Sequence, residues 1–275
     1  MKRLSFISAA AVAAALAFAG GASAASLPTF NIALNGVNGI SVSGSEVTGA
    51  VTIVSTFSGK APKGPNANTP TWGIVRLDDG VTLQQAVAAV TKAGGDLNAL
   101  NGLATLFASA GAPGTVETVF AEPGNYVALN ETGNGQPGFA QFVVTASASP
   151  ATLPTPQATE TSIEFGFRGP ATLHDGELVR FQNGGYLVHM DIAAGAKNKA
   201  LGKKLVAALL ANSKGAQKLS NGLFPTFAGP MSPGGVVQEV ITEKPGWYVQ
   251  ACFMNTQDGR EHTQLGMERL IHIVK

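Results

Sequence analysis

The only cysteine of the chain, Cys252, is followed at short range by residues that could share a metal with it. Trp247, Tyr248 and Val249 open a segment of strand composition after Gly246, and Cys252 stands at its far end. A polar loop from Asn255 to Glu261 leads to His262, four residues separate His262 from Met267, and Leu270, Ile271, Ile273 and Val274 read as a second strand. A thiolate, an imidazole and a thioether thus share one loop between two strands. One further imidazole would complete a trigonal His2Cys set with a weak axial Met, the donor set of a mononuclear copper site. The competing reading is that Cys252 is a small buried core residue, as unpaired cysteines often are.

The order Cys…His-x4-Met on a loop before a strand resembles the cupredoxin (type 1, or blue, copper) family. In that family the first histidine lies well upstream, on a strand after an N-x-G type turn. Asn183-Gly184-Gly185 leading through Tyr186-Leu187-Val188 into His189 is similar to that segment. The resemblance covers the second half, from about Ile163 to Lys275. It implies His189 and His262 as imidazole ligands, Cys252 as the thiolate and Met267 as the axial thioether of one copper ion per chain. Two features depart from the pattern. Nine residues separate Cys252 from His262, more than in small plastocyanin-like members, and a large insertion separates His189 from Cys252.

The remaining candidates are weaker. His174, in LHDGE, reads as a solvated turn residue, and His272 as a packing or solvent-facing residue of the last strand. Met190 follows His189 on a strand and so points to the opposite face; it and Met254 read as core. Lys197, Lys199, Lys203 and Lys204 form a basic cluster, read as a solvated helix face or a docking patch for an acidic partner.

These residues need a rigid frame, and the rest of the chain reads as one. Short runs rich in Val, Ile, Thr and Ala alternate with Gly, Asn and Pro turns, for example Asn31–Leu34, Gly39–Ser43, Val47–Thr56 and Trp72–Leu77. Thr82–Ala93 and Asn198–Ala211 have helical composition. Lys60–Pro70 is a Pro/Gly/Asn loop, and Ser147–Thr161 reads as an extended, mobile linker. Four matches recur in the same order in the two halves. Trp72–Gly80 aligns with Leu187–Gly195, the helical stretches with each other, Asn101-Gly-Leu with Asn221-Gly-Leu, and Glu122-Pro-Gly-Asn-Tyr-Val with Lys244-Pro-Gly-Trp-Tyr-Val. With the resemblance, this implies an all-β chain of two tandem cupredoxin-like Greek-key β-sandwich domains, each with a helical insertion, at 25–146 and 162–275. In this alignment Ile74 falls at His189 and Asn130 at Cys252, so the first domain is expected to be metal-free.

Residues 1–24 read as a bacterial-type signal peptide. Lys2 and Arg3 precede the apolar run Ala9–Ala19, and Ala22-Ser23-Ala24 gives the cleavage pattern. Cleavage after Ala24 implies a periplasmic or secreted protein with no membrane span. It removes two of the 18 basic residues and none of the 17 acidic ones, leaving a net charge of −1. A chain so nearly neutral has no basic face for nucleic acid. Four histidines are too few for a multicopper oxidase or a copper nitrite reductase, so the expected role is one-electron transfer or copper carriage with a protein partner. The alternative is a metal-free cupredoxin-like interaction module in which Cys252 is only packed.

Overall fold

The computed structural model describes residues 26–60, 70–132 and 137–275. The expected signal peptide, and all of the expected Lys60–Pro70 loop except its two ends, lie outside the described residues. The first half forms strands β1 (Thr29–Asn35), β2 (Gly39–Gly44), β3 (Gly49–Ser58) and β4 (Thr71–Leu77), helix α1 (Leu83–Lys92), then β5 (Ala104–Gly111), β6 (Gly114–Phe120), β7 (Gly124–Asn130) and β8 (Gly138–Val144). The second half forms β9 (Ala158–Ile163), β10 (Gly166–Arg168), β11 (Thr172–His174), β12 (Leu178–Asn183), β13 (His189–Ala196), helix α2 (Lys199–Leu210), β14 (Thr226–Met231), β15 (Val236–Val240), β16 (Gly246–Ala251) and β17 (Glu268–Val274).

Period-two burial decides which way each strand faces. Phe30, Ile32 and Leu34 of β1 are buried while their neighbours are exposed, and in β12 Val179, Phe181 and Asn183 are buried between half-buried neighbours. The inward faces build one sandwich. An eight-stranded sheet, β10-β9-β12-β15-β6-β3-β1-β2, lies on one side. Opposite it lie a four-stranded sheet, β5-β4-β7-β8, and a five-stranded sheet, β11-β17-β16-β13-β14. Phe30, Phe120, Tyr126 and Phe142 pack edge-on, tilted or, for Tyr126 on Phe142, stacked in the first half, and Phe181 stacks on Phe227 at 5.0 Å in the second. Each such buried side chain is worth about 1.5–3 kcal/mol.

The halves share the large sheet. Gln238 of β15 pairs with Glu117 of β6, Thr118 Oγ1 donates to the Val236 carbonyl at 2.6 Å, and the Leu106 amide donates to Ser232 Oγ at 3.0 Å. The linker is not loose. Its last residues, Ala158 to Thr161, already belong to β9. Before them, the Ala50 amide donates to the Ala151 carbonyl and Gln238 Nε2 to the Pro154 carbonyl, which tie the segment along the sheet. Backbone partners on the large sheet outweigh the flexibility that its Ser/Pro composition predicts.

Both helices form where composition placed them. Thr82 and Gln85 make a reciprocal capping box on α1, and the Asn198 side chain caps α2 through the Leu201 amide. Tyr126 donates to the Glu122 carbonyl at 2.6 Å, and Tyr248 to the Lys244 carbonyl at 2.7 Å, so the two Pro-Gly-x-Tyr segments turn alike. One sequence correspondence needs correction. Tyr126 pairs with Arg76 and Tyr248 with Gly195, which sets Ile74 against Ala193 rather than against His189. These two ladders are regular, so the sequence alignment of these two strands is four residues out of register.

Candidate metal centre

Three chain positions meet at one end of the five-stranded sheet: the start of β13, the residue after β16 and the turn before β17. Because β13 runs antiparallel to β16, and β16 to β17, these positions fall at the same end. They carry His189, Cys252 and His262, all fully buried. His189 Nδ1 and His262 Nδ1 lie 3.2 Å apart, and Cys252 Sγ lies 3.9 Å and 3.3 Å from them. One point is about 2.0 Å from all three atoms, close to the lengths at which imidazole nitrogen and thiolate sulfur bind a first-row metal ion. Both Nε2 atoms are buried without a hydrogen-bond partner among the described residues, so the rings turn their Nδ1 edges to the shared point. The donors present fit one copper ion.

The long Cys–His loop explains itself structurally. Asn255 bridges Glu261, the Thr256 amide donates to the Arg260 carbonyl at 2.8 Å, and the His262 amide donates to the Met254 carbonyl at 2.8 Å. The extra residues form a closed hairpin, turned at Gly259 (φ +83°), that returns the chain beside Cys252. A short 3-10 turn, His262–Leu265, then ends in Gly266, whose φ of +98° suits only glycine well. It delivers Met267, fully buried, with its amide donating to the His262 carbonyl and its carbonyl accepting from the Cys252 amide. Met267 packs in the same apolar cluster as Cys252, Val188 and Met254.

Neighbouring groups prepare the donors. The Met190 amide donates to Cys252 Sγ at 3.4 Å, and the Met254 amide also bonds the sulfur. Burial nevertheless pushes the thiol up to about 12. Burial, reinforced by His262, draws His189 down to about 4 against the opposing pull of Glu164, and burial lowers His262 as well. The imidazoles are therefore neutral near pH 7, as metal ligands must be.

The sequence reading missed several supporting residues. The two-residue turn between β9 and β10 supplies Glu164, whose Oε1 lies 3.8 Å from His189 Nε2, and Phe165, whose ring meets His262 edge-on at 5.3 Å. At 3.8 Å Glu164 acts by charge rather than by a hydrogen bond. Its Oε1 also accepts from the Tyr186 and Leu187 amides, fixing the chain before His189. Asn183 is buried in that same segment. Its Nδ2 donates to the Leu187 and Met231 carbonyls at 2.8 and 2.7 Å, and its Oδ1 accepts from the Gly185 amide at 2.9 Å. The first half contributes too: Asn98 Oδ1 accepts from the Val188 amide at 2.8 Å, and Asp96 acts on His262 by charge. Only Asn183 carried a signal, the Asn-Gly-Gly turn.

The other sequence candidates stay outside the centre. His174 ends β11 and is exposed, while His272 stacks on Trp247 at 4.1 Å. Met190 and Met254 pack in the apolar cluster, as expected. Of the basic cluster, Lys199 lies 4.9 Å over the Trp247 ring, a cation–π contact.

A His2Cys set held at one end of a β-sandwich defines a cupredoxin-type copper site. No family model and no curated protein matches the chain. Among solved structures it is similar to dithionite-reduced auracyanin from the photosynthetic bacterium Roseiflexus castenholzii, at 19% identity over 42% of this chain and 95% of that one, with a TM-score of 0.27. It is similar to an azurin from the obligate methylotroph Methylomonas sp. strain J, at 14% identity over 42% and 95% of the two chains, TM-score 0.24. It is also similar to copper nitrite reductase from Nitrosomonas europaea, at 12% identity over 89% and 92%, TM-score 0.23. Scores this low say nothing about activity; the donor set of this chain carries the chemistry.

Proposed function

We propose that the protein is an exported one-electron carrier that uses a single copper ion held by His189, Cys252 and His262, with Met267 as the weak axial ligand. The observation that carries this reading is the preassembled triangle of two Nδ1 atoms and one Sγ, fully buried on three rigid positions. Copper in such a set gains and loses one electron with little movement of its ligands. The chain's part is to hold the donors still. The Asn183 and Glu164 contacts fix the segment before His189, the hairpin fixes His262, and two amides hold the sulfur. Complete burial excludes water and also keeps an incoming ligand from reaching the ion, which favours electron transfer over handing the metal on.

Catalysis is the weaker reading. The chain has four histidines, and the two not used here sit apart, one exposed and one stacked on Trp247. Export rests on the N-terminal segment. Among the described residues no helix is long and apolar enough to cross a membrane. The test is titration of the metal-free protein with Cu(II). One equivalent should produce an intense blue absorption, and protein that binds no copper, or two per chain, contradicts the proposal.

A further inference from the structure

Helices α1 and α2 lie on the outer faces of their sheets in different ways. Under α2, Leu205 packs on Ala194 and Val249, and a Cβ built at Gly202 would fall 2.4 Å from Leu270 Cδ1, so the helix lies directly on the sheet. Helix α1 instead stands off from the four-stranded sheet and leaves a cavity of about 470 Å³. Close-packed interiors do not leave voids of that size, whereas small-molecule sites fall in this range. The walls are almost wholly apolar, with Val75, Leu106, Val127 and Phe139 from the sheet and Ala86 and Val90 from the helix.

One ionisable side chain lines this space. Glu131 follows β7; its amide bonds the Thr71 carbonyl, but its carboxyl finds no partner among the described residues. An apolar cleft with one polar group at its wall sets both the character and the orientation of an occupant. We propose that this cavity binds a small uncharged apolar molecule whose hydroxyl or N–H donates to Glu131. Burial pushes the Glu131 carboxyl up to about 7, so the wall gains negative charge across the neutral range and turns against anionic occupants. None of the lining residues is a metal donor, although Val75, Leu106 and Val127 belong to the same apolar cluster as Cys252 and Met267.

The probe is N-phenyl-1-naphthylamine, a neutral apolar fluorophore with one N–H, added to the full copper-loaded chain. Saturable binding at one per chain is expected, and displacement by decanol should vary less than twofold between pH 6 and pH 8. Displacement by decanoate should weaken at least fivefold over the same interval, and Glu131→Gln should abolish that weakening. Ala86→Phe, which fills the cavity, should cut probe affinity at least tenfold while the blue absorption persists; if it fails to fold, the Glu131→Gln comparison decides alone. Unsaturable probe binding, unchanged affinity in a blue Ala86→Phe protein, or a decanoate dependence that survives Glu131→Gln overturns the proposal.

Discussion

The Met190 amide donates to Cys252 Sγ at 3.4 Å, which joins the strand of the first histidine to the strand of the cysteine through the donor atom itself. The bond does not make the thiol acidic, because burial dominates and holds it up to about 12. It places a partial positive charge on the sulfur in the state where the sulfur is anionic. The centre is thus arranged for a bound metal rather than for a free reactive thiol.

Metal affinity should therefore depend on pH in a defined way. Between pH 7.5 and pH 9 the free thiol keeps its proton, while His189, drawn down to about 4, and His262, lowered by burial from its ordinary value, have lost theirs. Binding releases one proton, so affinity should tighten about tenfold per pH unit. Competition titrations with zinc, a redox-inert stand-in, should show that slope. A flat profile, or a slope of two, would mean a different donor set.

Glu164→Gln should leave copper bound and raise its reduction potential. The carboxylate 3.8 Å from His189 Nε2 favours the more highly charged oxidised ion. It is partly solvated, so the loss is worth roughly 1 kcal/mol, or about 40 mV for one electron. Voltammetry reads the shift, and a fall in potential would contradict the assigned role.

Asn183→Ala should cost about 2–4 kcal/mol of stability, since it strands the buried Leu187 and Met231 carbonyls and frees the Gly185 amide. Asn183→Asp, which sets a buried carboxylate oxygen against the same two carbonyls, should cost at least as much as the alanine variant in denaturant titration at pH 7. Equal stability of all three would show that the turn before His189 holds itself.

Much of this centre was legible because its donor types are rare in the chain and close together: one cysteine, then His262 and Met267. Strand and helix positions were legible from alternation and capping residues. Glu164 and Phe165 were not, because they reach the site through a hairpin turn some 25 residues before His189, and only pairing of β9 with β10 brings them there. The register of Ile74 failed for a related reason, since only the pairing of each strand with the Tyr126 or Tyr248 strand fixes it, and an ungapped alignment does not contain that pairing. The shared eight-stranded sheet was not legible either, because β15 and β6 meet through Gln238 and Glu117, 121 positions apart, and through the Thr118 hydroxyl on the Val236 carbonyl.

The metal-free protein should lose stability as pH rises from 6.5 to 8. Burial raises Glu131 to about 7, and burial, opposed by Arg269, raises Glu160 to about 8. In this window the folded chain holds protons that the unfolded chain has released, so unfolding becomes easier with pH. His189 has the opposite sign, but its loss of stability falls between pH 6.5 and about 4. Melting temperature should drop by a few degrees over the window, and less in Glu131→Gln. A rise would reverse the sign assigned to both carboxyls.

Cys252 and Met267 should matter unequally, although both are buried and their backbones are joined by a hydrogen bond. Cys252→Ser removes the thiolate, whose bond to copper gives the blue absorption, so the colour should vanish even if some metal remains on the two imidazoles. Met267→Leu keeps the apolar volume and removes only a weak, long axial ligand, which tunes the metal more than it holds it. One copper per chain and an intense visible band should survive, and the reduction potential should rise because the oxidised ion loses the most. Absorption, metal analysis and voltammetry on the two variants distinguish the roles. Copper lost from Met267→Leu, or an unchanged spectrum in Cys252→Ser, would place the metal elsewhere.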